Sequence, residues 1–218
     1  MNTCALFHLP LVACPHELIP LHIFEDRYKE MIADCLARQQ AGDPAEFAIC
    51  LFDEERPRRV GVVVKFVRVL KHYPDGRLDI LTQGCRRVAI REVPSAKSYR
   101  LTSTGRYDDT RSDWSEQLAT EAFNLHRALI QMITGAPPGD AAYGGVAQLS
   151  FLLASTLHLD PDVKQQLIEL RDEDARLTLL VEHMTILMHQ LESVQLAART
   201  IQGSWELQQR FAHGNDPA

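Results

Sequence analysis

The hydrophobic pattern changes character near Tyr107. Before it, apolar residues come in short β-branched runs punctuated by Pro and Gly, the mark of strands. Leu6 to Leu11 is such a run, with Pro10 and Pro15 at edges or turns. Phe24 to Arg38 interrupts the series: Tyr28, Met31, Ile32, Cys35 and Leu36 recur at helical spacing and define one buried face. Gly42-Asp43-Pro44 ends that helix. Phe47 to Phe52 is a continuous apolar run, short enough for a buried strand. A charged turn from Asp53 to Pro57 leads into Val60 to Tyr73, rich in β-branched residues. Pro74-Asp75-Gly76 predicts a turn, because Pro presets one dihedral and Gly accepts positive φ. Strands resume at Leu78 to Leu81 and Arg87 to Arg91, with a bulge or tight bend at Gly84. Tyr99 to Tyr107 reads as one more strand. Hairpin-linked strands with bends predict a small barrel or a strongly curved sheet.

After Tyr107 the period becomes helical. Asp113 precedes Trp114 and is followed three residues later by Glu116, a capping-box-like start. Trp114, Leu118, Ala122, Leu125, Leu129 and Met132 then form one helix face. The run Gly135-Ala136-Pro137-Pro138-Gly139 breaks it, and a second helix is expected from Val146 to Leu157. Asp160-Pro161 supplies an N-cap and a first-turn Pro for a third, carrying Val163, Leu167 and Leu170. The last helix is the clearest element. Leu177, Leu180, Val181, Met184, Leu187, Met188 and Leu191 keep a three-four spacing that Val194, Ala198, Ile201 and Trp205 continue. From Asp174 to Ile201 it would run about 42 Å at ~1.5 Å per residue. It is expected to close a helical bundle up to Leu191. Beyond that, closure with a frayed tail from His213 and projection towards a partner both stay open. The fold class is therefore α+β, with a β-rich subdomain over 1–110 and a helical subdomain over 111–218.

Composition narrows the function classes. The balance of 45% hydrophobic and 24% charged residues is ordinary for a globular chain. At 218 residues it can bury a core without disulfide or metal staples. A net charge of −6 disfavours phosphate backbones and anionic lipid in general. Local basic clusters at Arg56, Arg58 and Arg59, and at Arg86, Arg87 and Arg91, could contact RNA or could be solvated strand ends. Acidic neighbours Asp53, Glu54, Glu55 and Glu92 weaken their field. The five cysteines are odd in number and show no C-x-x-C spacing, which suits reduced thiols in a cytoplasm. Cys35 and Cys50 read as small core residues. Leu11-Val12-Ala13-Cys14 resembles a lipoprotein cleavage box, but no Lys or Arg precedes Arg27, and His8 and Pro10 interrupt the apolar run. No stretch reaches the ~18 apolar residues of a membrane span. A cytoplasmic protein without membrane attachment is expected.

The candidate chemistry is thin. His16-Glu17-Leu18-Ile19-Pro20 begins like a zinc-protease H-E-x-x-H motif, but the second ligand position is Pro20. His183 and His189 are six apart and do not share a helix face. Ser95 and Lys97 could suggest a Ser-Lys dyad, yet nothing nearby suggests an oxyanion hole. No Gly-Lys dipeptide exists, so the phosphate-cradling loop of nucleotide-binding proteins is missing. No catalytic residue, cofactor site or metal site is assigned.

One run is distinctive: Phe7-His8-Leu9-Pro10-Leu11, then Pro15-His16-Glu17-Leu18-Ile19-Pro20-Leu21-His22-Ile23-Phe24-Glu25-Asp26-Arg27-Tyr28. It resembles the opening of the N-terminal substrate-binding domain of Lon-type ATP-dependent proteases. Gly61-Val62-Val63 through Asp75-Gly76-Arg77 to Gly84-Cys85-Arg86-Arg87-Val88 fits that family's order, as does Lys164 to Glu169 with Arg176-Leu177 following. The resemblance implies a barrel-like, PUA-like β subdomain with one helix, then a helical bundle ending in a long helix. It also implies a non-catalytic module that binds unfolded polypeptides or a protein partner, acting with a separate protease or chaperone. The family's ATPase loop and peptidase motif are not found in this sequence. The alternative is an RNA-binding PUA-like module, which rests on fold analogy. An enzyme would require a pocket with convergent polar groups. Within the opening motif, Pro10, Pro15 and Pro20 stiffen an extended segment. Leu21, Ile23 and Phe24 are expected to anchor the helix to the sheet, and Glu25, Arg27 and Tyr28 to tie the helix start to neighbouring strands. If the motif faces a ligand, His22, Arg27 and Tyr28 are the contacts. Self-association is expected, if anywhere, through the last helix.

Overall fold

The computed structural model describes residues 2–52, 58–111, 113–139, 143 and 148–213. Arg56, the charged turn at 53–57 and most of the loop at 140–147 lie outside them. Six strands come first: β1 (Asn2–Leu9), β2 (Leu18–Ile23), β3 (Glu46–Leu51), β4 (Val60–His72), β5 (Leu78–Val93) and β6 (Arg100–Arg106). One helix, α1 (Asp26–Gln40), interrupts them between β2 and β3. Four helices follow: α2 (Glu116–Thr134), α3 (Leu149–Ala154), α4 (Pro161–Glu169) and α5 (Glu173–His213). The architecture is mixed α+β. No helix among the described residues is long and apolar enough to cross a membrane.

The strands form one six-stranded sheet in the order β2-β5-β4-β3-β1-β6, and β6 also pairs with β5. That pairing closes five strands into a ring and leaves β2 outside it, so the sheet is not a clean barrel. The device is the length of β5. Its first half, Leu78 to Gln83, pairs with β2, and its second half, Val88 to Val93, pairs with β6. Two separate strands were expected here. The structure has one continuous strand of 16 residues, bulged where the register on β4 steps from Arg86 to Gly84. Gly84 is required there because a Cβ would lie 1.9 Å from the Cys14 carbonyl oxygen. At the other end of β4, Gly76 adopts φ 81° in the Pro74-Asp75-Gly76 turn.

Period-two alternation divides the buried side chains between two faces. Leu6, Ala48, Cys50, Val63 and Val88 make a small cluster of their own. Phe7, Phe47, Ile49, Val62 and Val64 belong to the main core, with Met31 and Ile32 of α1 and Leu153, Leu167, Leu177, Leu180 and Met184 of the later helices. Cys35 and Cys50 are buried, as expected. Burial raises the thiols of Cys35 and Cys50 to about 11 and that of Cys14 to about 12, which keeps them protonated and inert.

The helix starts follow their capping chemistry. Ser115 caps α2, its hydroxyl accepting from the Leu118 N–H, so the helix starts later than the Asp113 signal suggested and Trp114 stays exposed outside it. Gly135 closes α2 at φ 82°. Asp160-Pro161 opens α4 as expected. α3 is shorter than its pattern, and α5 is longer, with 41 residues. Leu177, Leu180 and Met184 are fully buried under α2 and α3, Leu187 and Leu191 half-buried, and Val194, Ile201 and Trp205 exposed. Closure therefore ends near Leu191.

A buried polar cluster joins the strands to the helices. Asp109, in the segment after β6, receives both guanidinium Nη atoms of Arg176 at 2.7 Å, the Gln148 amide at 2.9 Å and Arg87. Arg87 also donates to the Ile168 carbonyl at 3.0 Å, and Arg176 to the Ser150 hydroxyl at 2.9 Å and to Glu173. Glu173 in turn accepts from the Ser150 N–H and hydroxyl at 2.8 and 2.7 Å. Both guanidinium groups lie against the Phe151 ring, at 4.9 and 4.6 Å. Arg87 was read as a solvated strand end or an RNA contact. It is neither, being 6% exposed and committed to this cluster. Its neighbour Arg86 pairs with Glu46 through two hydrogen bonds at 3.1 and 2.8 Å.

Candidate functional site

β2 was expected only as a stiffened extended segment. The alternation Ile19, Leu21, Ile23 makes it a strand, with those residues buried and Leu18, Pro20 and His22 exposed. It pairs antiparallel with β5 and is the end strand of the sheet order. Pro20 fits an end strand, where its missing N–H is not needed by a second ladder. The exposed residues share a face with alternate residues of β5 and β4. Register aligns Leu18 with Gln83 and Lys65, Pro20 with Leu81 and Arg68, and His22 with Asp79 and Lys71.

Around His22 this face is aromatic. The His22 ring stacks on Phe24 at 5.9 Å and meets Tyr73 edge-on at 5.6 Å. His22 Nδ1 and the Tyr73 hydroxyl both donate to the Asp79 carboxylate, at 2.5 and 2.8 Å. Those two hydrogen bonds, His22 first, hold the Asp79 carboxyl below the usual range. Lys71 and Arg77 lie over the Tyr73 ring at 4.4 and 5.0 Å. Leu18 and Phe24 are each 58% exposed, and Val67 and Leu70 stand exposed at bulges of β4. Together these side chains leave an apolar and aromatic surface exposed on this face.

Of the contacts expected from the opening motif, His22 alone lies in this cluster. Arg27 pairs with Glu25 at 2.6 Å and covers the Tyr28 ring at 4.5 Å. Tyr28 is buried against Phe7, with ring centroids 4.0 Å apart. That contact ties α1 to β1, as expected for the helix start. Leu21 and Ile23 anchor the core as expected, but Phe24 does not, since its ring faces solvent. Tyr73, Asp79 and Lys71 were missed. The available signal was the dense aromatic and basic stretch Lys71-His72-Tyr73 before a strong turn, and Lys65, Arg68 and Lys71 three apart in a strand that should alternate by two.

Two hollows could suggest chemistry. The larger, about 660 Å³, is lined by Arg86, Arg87, Thr104, Arg106 and Asp108 among others. Its arginines are already engaged, Arg86 with Glu46, Arg87 with Asp109 and Arg106 with Asp108. The smaller, about 100 Å³, adjoins His126, Tyr143 and Thr156. Thr156 donates to the Leu153 carbonyl, so it accepts from His126 Nε2 at 2.7 Å, while Tyr143 bonds Nδ1 at 2.8 Å. Burial lowers His126 to about 4, a neutral ring with both nitrogens occupied. His16 lies in a turn with φ 70°, and no group of three or more His, Cys, Asp or Glu among the described residues could hold a metal.

These features define a mixed α+β module with a prepared sheet face, and without converging catalytic groups among the described residues. The chain belongs to the family of the ATP-dependent protease La (LON) substrate-binding domain, which it matches over residues 3–185. A Lon protease of Flavobacterium johnsoniae is 27% identical over 202 residues, covering 84% of this chain and 24% of that protein. The chain thus spans less than a quarter of that relative's length. A Lon N-terminal domain protein from Xanthomonas campestris shares the fold with a TM-score of 0.62 at 23% identity, covering 84% of this chain and 98% of that one. The N-terminal domain of a Mycobacterium avium complex Lon protease does so with a TM-score of 0.63 at 15% identity, with the same coverage.

Proposed function

We propose that this chain is a non-catalytic polypeptide-binding module and that its ligand lies on the outer face of β2, β5 and β4. The exposed cluster of His22, Phe24 and Tyr73 beside Leu18 carries this reading. Apolar and aromatic side chains held in place by a hydrogen-bonded Asp79 offer contact area at low entropic cost. The family's description as a substrate-binding domain supports it. In this reading His22 touches the ligand, Arg27 and Tyr28 hold the corner that positions it, and the bound segment passes to a separate protease or chaperone.

The test is fluorescence anisotropy of a labelled, permanently unfolded polypeptide titrated with the protein. Saturable binding is expected, weakened about tenfold or more by Leu18→Asp or Phe24→Asp with unchanged circular dichroism. Equal binding by both variants places the ligand elsewhere. The RNA-binding alternative draws on the cations Lys65, Arg68 and Lys71 beside aromatic rings. It requires affinity for single-stranded RNA that falls steeply with salt.

A further inference from the structure

Resting on the polypeptide-binding reading, we infer that the face selects segments carrying carboxylates beside apolar side chains. The pairing registers give it two unlike borders. Leu18, Pro20 and His22 line one side on β2, and Lys65, Arg68 and Lys71 line the other on β4. The floor between them is Gln83, Leu81 and Asp79 of β5. With neighbouring strands about 4.8 Å apart, the borders lie about 10 Å from each other. A single polypeptide segment therefore touches both at once.

The charges on this strip are unbalanced. Among the described residues, Lys65, Arg68 and Lys71 enter no ion pair, and Lys71 lies over the Tyr73 ring at 4.4 Å. The acidic groups close by are already used. Asp79 accepts from His22 and Tyr73, Asp75 holds Arg77 at 2.7 Å, and Glu46, opposite Lys65 on β3, holds Arg86. Elsewhere the exposed Arg100 of the sheet is matched by Glu92. A row of unmatched cations in a chain of net charge −6 is a local exception, and it favours a ligand that brings carboxylates. Successive rungs are two residues apart on β2, about 6.8 Å. An extended ligand with carboxylates at alternate positions repeats at that spacing.

Protein is favoured over nucleic acid as the bearer of the negative charge. His22 meets Tyr73 at 87°, so among the described residues of this face only the His22–Phe24 pair offers near-parallel rings to bases. Leu18, Pro20, Val67 and Leu70 are aliphatic and offer nothing to stack.

The experiment compares labelled peptides of about a dozen residues that alternate Leu with Glu, Gln or Lys, measured with the whole protein. The Glu peptide should bind about tenfold tighter than the Gln peptide, with the Lys peptide weakest, since each exposed pair adds only a modest increment. The combined Lys65→Glu, Arg68→Glu, Lys71→Glu variant should invert that order. These side chains are exposed, and circular dichroism checks that the variant is folded. Equal affinities for all peptides, or an order unchanged in the variant, would overturn the inference while leaving polypeptide binding intact. Binding of none of them, nor of an unfolded protein, would remove the reading beneath it. Tighter binding of single-stranded RNA than of the Glu peptide, lost in the variant, would assign the cations to nucleic acid instead.

Discussion

Two clusters in this protein combine the same ingredients, arginine or lysine, carboxylate and aromatic ring, to opposite ends. Around Asp109 every charge is matched: Arg87 and Arg176 share its carboxylate, Glu173 takes the remainder of Arg176, and the Phe151 ring lies against both guanidinium groups. Around Asp79 the carboxylate is satisfied by His22 and Tyr73, Arg77 is taken by Asp75, and Lys71 lies over the Tyr73 ring without an ion-pair partner among the described residues. Complete pairing in a buried place joins the strands to the helices. On the exposed face, incomplete pairing would leave interaction energy for the proposed ligand. Proximity of charged and aromatic groups alone does not distinguish the two roles; burial and the balance of charge do.

Removing the carboxylate from each cluster should separate the two most. Asp109→Ala strands two buried guanidinium groups and should cost about 3–5 kcal/mol of unfolding free energy. Asp79→Ala leaves an exposed His22 and a half-buried Tyr73, both within reach of water, and should cost less than about 1 kcal/mol. Urea titrations of both variants measure the difference. Similar losses would mean that the outer cluster is structural.

The two halves of α5 make the same point with apolar residues. Leu180 is fully buried, and Leu180→Ala should cost about 2–5 kcal/mol. Ile201 is 65% exposed, and Ile201→Ala should stay within about 0.5 kcal/mol. Both occupy the same three-four spacing, which explains what was legible and what was not. Periodicity states that a helix has an apolar stripe; it does not state how far the neighbouring helix extends to cover it. α2 ends at Gly135, and the stripe on α5 outlasts it. The same limit applies to the sheet. Val60 to Tyr73 was readable as a strand and Gly84 as a bulge. The long β5 was not, because its halves have different partners, and nothing local announces a strand shared between two pairings. His22 could be picked out as a polar residue within the distinctive motif. Tyr73 and Asp79 become its partners only through a register that spans 57 positions between His22 and Asp79.

Acid sharpens the contrast within the buried regions. Burial opposes ionisation of Asp109, but the hydrogen bonds and charge of Arg176, with Arg87 and Gln148, outweigh it and hold the carboxyl down to about 2. A depressed carboxyl contributes stability above its ordinary value near 3.8, and loses it as pH falls through about 2. His126 is also depressed, by burial, to about 4 from 6.5, so the fold favours its neutral ring. Its contribution is complete above pH 6.5 and declines as pH falls towards 4. Stability should therefore fall in two windows, by roughly 3 kcal/mol across the upper and roughly 2 kcal/mol across the lower. His126→Gln should abolish the upper decline and leave the lower one. A single transition unaffected by that substitution would show that other groups govern acid unfolding.

The smallest effect expected on stability belongs to the far end of α5, where the readout is association. Val194, Ile201 and Trp205 lie beyond the cover of α2, and the residues between them include only Arg199 as a charged group. A seam so poor in charge carries little like-charge repulsion against self-pairing along three-four positions. Ile201→Asp should leave the urea midpoint within experimental error. If this stripe is where copies of the chain meet, the same substitution should abolish any concentration-dependent rise in sedimentation coefficient. A coefficient that is independent of concentration in the unsubstituted protein would rule that out, and the exposed stripe would then serve a different partner.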